Sequence, residues 1–237
     1  MEKPEGTVKI MGLLEVGCVV DVDIFIFLSV FFIGLVVGYA AGRYRQRNAE
    51  NCGEARVRHR LTQYCQNKEA HVLSNITLRL EDGSTTQIDH ILITPKGIFV
   101  IETKHYKGWI FAKENARSWS QSLYYDKFRF QNPLRQNYKH VKAIQKALDF
   151  IEPHHVHNIV VFSGKAVFKS AKPPNVFYID ELVPAIEQFT DGALSLNRVQ
   201  FCVGRLEYMR LAITKKTDVE HQAHLSKRFG DSWNGRV

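Results

Sequence analysis

The sequence predicts an α/β domain, a mixed sheet flanked by helices, carried behind one N-terminal transmembrane helix. Three observations predict it. An uncharged apolar run fills positions 24–42, strand-like alternation recurs between His71 and Lys104, and apolar residues fall at helical spacing after Asn132. A chain of 237 residues has room for one ordinary domain and an appendage. Apolar residues at 45% and charged residues at 24% are globular values, which argues against a disordered chain.

The apolar run reads IFIFLSVFFIGLVVGYAAG over 24–42. At 1.5 Å per residue a helix of that length crosses a hydrocarbon core of ~30 Å. A core helix of a soluble domain is rarely apolar on every face. A cleaved signal peptide would need a basic stretch directly before the run, but Asp21 and Asp23 stand there. Arg43, Arg45 and Arg47 follow the run at once, so the C-terminal side is expected in the cytoplasm. Tyr39 and Tyr44 suit the membrane interface. Gly34, Gly38 and Gly42 fall four apart on one face, a spacing that lets two such helices approach as a homodimer, though glycine is common in such helices without any pairing.

The expected organisation follows from these marks. Residues 1–23 form an extracytoplasmic segment, 24–42 the anchor, 43–52 a basic juxtamembrane linker, 53–151 the core, and 152–237 an α/β extension of the same domain. Within the core, Glu54 to Gln66 reads as a helix with Val57, Leu61 and Tyr64 on one stripe. His71 to Leu80 alternates as a strand and Glu81-Asp82-Gly83 signals a turn. Thr85 to Thr94 and Gly97 to Lys104 are two further strands joined across Pro95-Lys96-Gly97. Trp109 to Ala112 adds a short one.

Asn132 then caps a helix that has Pro133 at its first position. Leu134, Tyr138, Val141, Ile144, Leu148 and Ile151 form its expected buried face. Asn158 to Phe162 and Val176 to Ile179 are apolar strands, while Glu181 to Phe189 and Leu196 to Leu211 read as helices. Tyr124, Tyr125, Phe128 and Phe130 are expected to pack a loop against the domain, and His154, His155 and His157 to lie exposed.

A net charge of +8 suits a polyanionic partner, nucleic acid or an anionic lipid surface, though a merely solvated basic surface reads the same way. Cys18, Cys52, Cys65 and Cys202 form no CxxC pair and no zinc-finger spacing with histidine. Scattered single cysteines fit a reducing compartment.

The chemistry concentrates in Gln87 to Lys104, QIDHILITPKGIFVIETK. It sets Asp89 on one strand and Glu102 and Lys104 on the next. Buried charges are costly unless paired or bound to metal. If Thr94 pairs with Gly97, Asp89 lies opposite Glu102 and Gln87 opposite Lys104, and two facing carboxylates call for a cation between them. Oxygen ligands of this kind suit Mg²⁺ or Mn²⁺. A type I turn followed by a glycine bulge would instead shift the register by one and part the two acids. The spacing alone leaves both registers open. A lysine beside such a site can orient or deprotonate water, or offset charge on a phosphate.

Asp89, twelve intervening residues and Glu102-Thr103-Lys104 resemble the D…ExK motif of the PD-(D/E)XK nucleases. With Gly53-Glu54, Gln87-Ile88-Asp89-His90, the strand Gly97 to Lys104, Gly108, Trp119, Gln121, Asn132-Pro133-Leu134 and Gln136, the chain resembles the nuclease-related domain, or NERD, family over roughly residues 50–150. The resemblance implies a restriction-endonuclease-like fold. It implies metal-binding carboxylates at Asp89 and Glu102, a further acid at Glu54, a catalytic lysine at Lys104, and Gln136 and Gln87 lining the site. It also implies a Mg²⁺-dependent deoxyribonuclease at a bacterial inner membrane. A module that keeps the fold and binds nucleic acid without turnover is the alternative from another class. Arg135, Lys139, Lys142 and Lys146 recur along the Pro133 helix as a candidate phosphate-contacting stripe, though a solvated helix face has the same pattern.

Overall fold

The computed structural model describes residues 14–190 and 192–211. A helix, α1, runs Leu14–Cys65. The chain forms two compact units, Met1–Asn48 and Ala49–Val237. In the first, the span 24–42 is helical throughout, and its side chains are described over 26–40, all of them exposed. A Cβ at Gly34 or Gly38 would meet nothing within 4 Å. No helix among the described residues is long and apolar enough to cross a membrane. Residues 1–13 and 212–237 lie outside the described residues, as do the side chains of Gly42, Arg43, Tyr44, Arg45 and Arg47.

The second unit holds two sheets. The first has the order β1-β2-β3-β7-β9, from His71–Arg79, Thr85–Thr94, Gly97–Lys104, Val156–Phe162 and Val176–Tyr178. β1, β2 and β3 pair antiparallel, and β7 and β9 add on in parallel. The second sheet has the order β6-β5-β4-β8, from Asp126–Gln131, Ser118–Leu123, Gly108–Phe111 and Ala166–Phe168. Its hairpin β5–β6 and the strand β8 are absent from the sequence reading. Strands of three to six residues, broken by Ser, Lys and Asp, carry too short an alternation to stand out.

Each face of the first sheet is covered by helices. On one face α2, Pro133–Ala147, and α4, Leu196–Met209, bury Val141, Ile144, Val199 and Leu206 against Ile76, Ile88, Ile98 and Val100. On the other, the end of α1 and the short α3, Leu182–Glu187, bury Val57, Leu61 and Ile186 against Leu92, Phe99, Ile101 and Val161. Coverage on both faces explains why β3 and β7 read as continuous apolar runs.

The cap on α2 forms as expected. The Asn132 side chain accepts from the Leu134 amide, and its own amide group donates to the carbonyls of Glu114 and Ala116. Three expectations fail. Tyr138 is 52% exposed rather than part of the buried face; Asn137 and His140 take that position, where the Asn137 amide group donates to the Val100 carbonyl and His140 Nδ1 meets the Thr86 hydroxyl. Tyr124, Tyr125 and Phe128 are exposed at the β5–β6 hairpin, and of that aromatic group Phe130 packs, edge-on to Tyr106 and Trp119. His157 is not exposed: as part of β7 it stacks on Phe99, and burial pushes its pKa down to about 4.

Candidate active site

The site begins at a turn. Thr94 pairs directly with Gly97 across Pro95-Lys96, and the Lys96 amide donates to the Thr94 hydroxyl at 3.0 Å. Gly97 has φ 136°, and a Cβ there would lie 2.9 Å from the His155 carbonyl oxygen, so glycine is required at this end of β3. Of the two registers open to the sequence, the direct one therefore forms, without a bulge. It runs to His90–Ile101. One step further, level with Glu102, the ladder stops and the Asp89 carboxylate accepts the Thr103 backbone amide at 2.8 Å.

The other edge of β2 is also interrupted at Asp89. The β1–β2 register omits Asn75 between Ser74–His90 and Ile76–Ile88, and Asn75 has φ 55°. Asparagine tolerates this left-handed conformation better than most residues. The ribbon changes face there. Ile88 and Ile91, three apart, both join the core beneath α2, as do Ile76 and Leu73 on β1. Strict alternation would place them on opposite faces. This corrects the expectation for Gln87: it points out exposed, and Thr86, not Gln87, faces α2.

Glu102 is the buried centre, 3% exposed. Lys104 Nζ donates to its Oε1 at 2.6 Å and to Gln136 Oε1 at 3.2 Å. His140 Nε2 lies 3.5 Å from Glu102 Oε2, and His140 Nδ1 is 2.7 Å from the Thr86 hydroxyl. Burial alone would raise the Glu102 carboxyl, but Lys104 and then His140 outweigh it and hold the pKa below the ordinary range. Burial likewise disfavours the Lys104 charge, and the adjacent Glu102 reverses this and holds the ammonium well above the usual lysine range. Asp89 is pushed the other way, well above the usual carboxylate range. Burial is the largest cause, followed by repulsion from Glu102 and Glu54, with the Thr103 amide and Lys104 opposing.

Glu54 reaches this neighbourhood because α1 packs tightly. A Cβ on Gly53 would lie 2.5 Å from the His105 Cβ and 2.7 Å from the Ser163 hydroxyl. Arg56 donates to the Ser163 carbonyl at 2.6 Å and fastens the same helix to the end of β7.

The structure thus brings Glu54, Asp89, Glu102, Lys104 and Gln136 together. It adds His140, which the sequence reading missed; the available signal was its position four residues after Gln136, on the same helical face. The basic stripe divides. Arg135 and Lys139 line a cavity of about 530 Å³ with Arg117 and Tyr138. Lys146 forms an ion pair with Glu81, and Lys142 donates to Gln145 at 3.0 Å.

The donor set suits a hard divalent cation: two level carboxylates, one of them destabilised as an anion by the other. Mg²⁺ commonly takes one or two protein carboxylates and fills its shell with water and substrate phosphate. Among the described residues, no group of three or more His, Cys, Asp or Glu is gathered closely enough to hold a metal ion by itself.

Residues 49–163 match the family model for the nuclease-related domain. A relative from Bacillus anthracis, an uncharacterised protein, is 37% identical over 166 residues, which is 68% of this chain and 77% of that protein. The chain belongs to the NERD family. Its function is accordingly nuclease-related. The NERD match takes in every residue of the cluster from Glu54 to His140 and ends at Ser163, where β7 meets the His105 side chain. No solved structure matches the chain.

Proposed function

We propose that this NERD protein is a membrane-anchored, metal-dependent nuclease that hydrolyses phosphodiester bonds in DNA. The observation that carries the reading is Glu102: a buried carboxylate level with Asp89 and bonded to Lys104, which Gln136 holds in turn. Asp89 and Glu102, with Glu54 beside them, would hold Mg²⁺ or Mn²⁺, which when bound polarises the scissile phosphate and makes bound water acidic. Lys104 stays cationic at neutral pH, since its pKa is raised rather than lowered. Its role in this reading is to stabilise negative charge developing on the phosphate. Gln136 fixes the ammonium, and His140 Nε2 stands 3.5 Å from the second oxygen of Glu102.

The anchor in this reading is the uncharged run 24–42, with Arg43, Arg45 and Arg47 keeping the catalytic unit on the cytoplasmic side of a bacterial inner membrane. Gly34, Gly38 and Gly42 would allow two anchors to pair. The test is cleavage by the full chain in detergent micelles. Linear, circular and single-stranded DNA and RNA are each offered with Mg²⁺, Mn²⁺ or EDTA, with Asp89→Ala and Lys104→Ala as controls. Cleavage of DNA that needs metal and is lost in both variants supports the reading. Binding without cleavage under every condition favours a non-cleaving module. The closed Lys104–Glu102 pair, in which the lysine already neutralises the carboxylate, is the observation on that side.

A further inference from the structure

The second sheet has an outward face that the carboxylate site does not use. The strand register arranges it in rows. Val167, Trp109, Ser122 and Lys127 lie side by side across β8, β4, β5 and β6. Phe111, Ser120 and Arg129 form the next row, and Ser118 and Gln131 the last. The opposite face buries Ile110 and Trp119. The outward face is therefore a shallow trough. Its floor is three serines alternating along β5. One bank is aromatic, with Trp109 52% and Phe111 40% exposed. The other bank is cationic. None of these rows contains a carboxylate.

Isolated exposed apolar residues need no explanation, but two large rings two positions apart on one strand, facing a line of cations, do. Lys169 sits over the Trp109 ring at 4.8 Å and Lys127 over Phe111 at 5.5 Å, so each ring face holds a mobile cationic head that an incoming base would displace toward its own phosphate. A cavity of about 390 Å³ opens at the end of the first row, between Trp109, Ser122 and Tyr124 and bounded by Lys107 and Lys165. Lys107 is three residues beyond Lys104, so this cavity begins where the catalytic strand ends.

We infer that this face docks single-stranded DNA, with bases on Trp109 and Phe111 and the phosphates along Lys127 and Arg129. The inference rests on the nuclease reading for its choice of DNA. The choice of single strand rests on geometry. Ring faces are of use only to bases that are not stacked within a duplex. Two strand steps set the rings ~6.8 Å apart, about twice the ~3.4 Å rise per stacked nucleotide along each strand of a duplex. Only a strand pulled open can lay successive bases on them. Serines between the banks keep the floor low, with the flexible Lys127 side chain reaching across it to Phe111.

The test is binding of the full chain in micelles to fluorescent oligo(dT), to a duplex of equal length, to oligo(U) and to vesicles rich in anionic lipid, in EDTA so that nothing is cleaved. Trp109→Ala with Phe111→Ala is expected to weaken oligo(dT) binding tenfold or more, the range of base–aromatic stacking, and to leave duplex binding nearly unchanged. Trp109→Phe is expected to retain most of it, and an unchanged unfolding midpoint shows that the sheet stays intact. Equal losses for single strand and duplex, no loss in the double alanine variant, or tighter binding to oligo(U) or vesicles than to oligo(dT) each overturn the proposal. The same variants separate it from the nuclease reading. If the wild type never cleaves but the binding pattern holds, the platform stands and the nuclease falls. If the wild type cleaves and the double variant binds and cuts single strands equally well, the platform falls alone.

Discussion

Asp89 and Thr103 are joined by a side chain where the sheet would use its backbone: one carboxylate oxygen of Asp89 takes the Thr103 amide at 2.8 Å. The β2–β3 ladder has just ended, and Asn75 interrupts β1 at the same level. The gap in the pairing sets Asp89 level with Glu102 and holds one of its oxygens, while burial, and then Glu102 and Glu54, raise its pKa. Four measurements follow from this arrangement.

Burial, and then the neighbouring Glu102 and Glu54, disfavour the charged form of Asp89. Its folded pKa is raised, so it favours the native state below its unfolded pKa, and this contribution is lost as the pH rises through the folded value. At neutral pH, Asp89→Asn is therefore expected to stabilise the metal-free protein, on the order of 1 kcal/mol, while abolishing cleavage. Mg²⁺ or Mn²⁺ should raise the unfolding midpoint of the wild type and leave that of Asp89→Asn unmoved. Thermal unfolding with and without EDTA checks both; an equal metal response in the two proteins would sink the assignment.

Lys104 and Glu102 form a buried pair, so removing one partner strands the other. Lys104→Met is expected to destabilise by about 3–5 kcal/mol, whereas Lys104→Met with Glu102→Gln should recover most of that loss. Neither should cleave DNA, with rates lower by about a hundredfold or more. Urea denaturation of the single and double variants gives the coupling directly.

His90 is buried at 1% exposed, bonded to Ser74 at 2.9 Å, with its pKa lowered to about 4, chiefly by burial. A lowered histidine pKa favours folding above its ordinary value near 6.5, and the gain is lost as the pH falls from 6.5 toward 4. The full displacement is worth about 3 kcal/mol. The half-buried His157 adds a change of the same sign. Stability measured between pH 7 and pH 4 should fall steeply, and His90→Gln should flatten the slope.

Gly53 is where α1 meets the ends of β3 and β7. Gly53→Ala must displace the His105 Cβ, so it is expected to cost about 1–3 kcal/mol. It should also move Glu54 away from Asp89 and lower activity beyond the loss of folded protein. If the variant unfolds like wild type and cleaves normally, the close approach is not what sets Glu54.

The sequence by itself determined the elements marked by long apolar runs, turn residues and caps. β2 and β3 and the capped start of α2 stand where the apolar runs beside Pro95-Lys96-Gly97, Pro133 and Asn132 put them. It determined the chemical identity of the cluster too, since a carboxylate, a second carboxylate and a lysine on apolar strands demand a reason to be there. Only the tertiary structure decided the rest. Thr94-Pro95-Lys96-Gly97 allows two registers, and the crowding of Gly97 against His155 belongs to a contact fifty-eight positions away that no local pattern encodes. The turn of the β1–β2 ribbon at Asn75 moved Gln87 out and Thr86 in, against simple alternation. His140 became part of the site, and Tyr138 left the core, because α2 rotates to give its polar residues partners on β2 and β3. Short strands with polar residues left no periodic trace, so beyond β4 the second sheet came from pairing alone. Periodicity reports burial along one segment; register and rotation are settled by what several segments bury together.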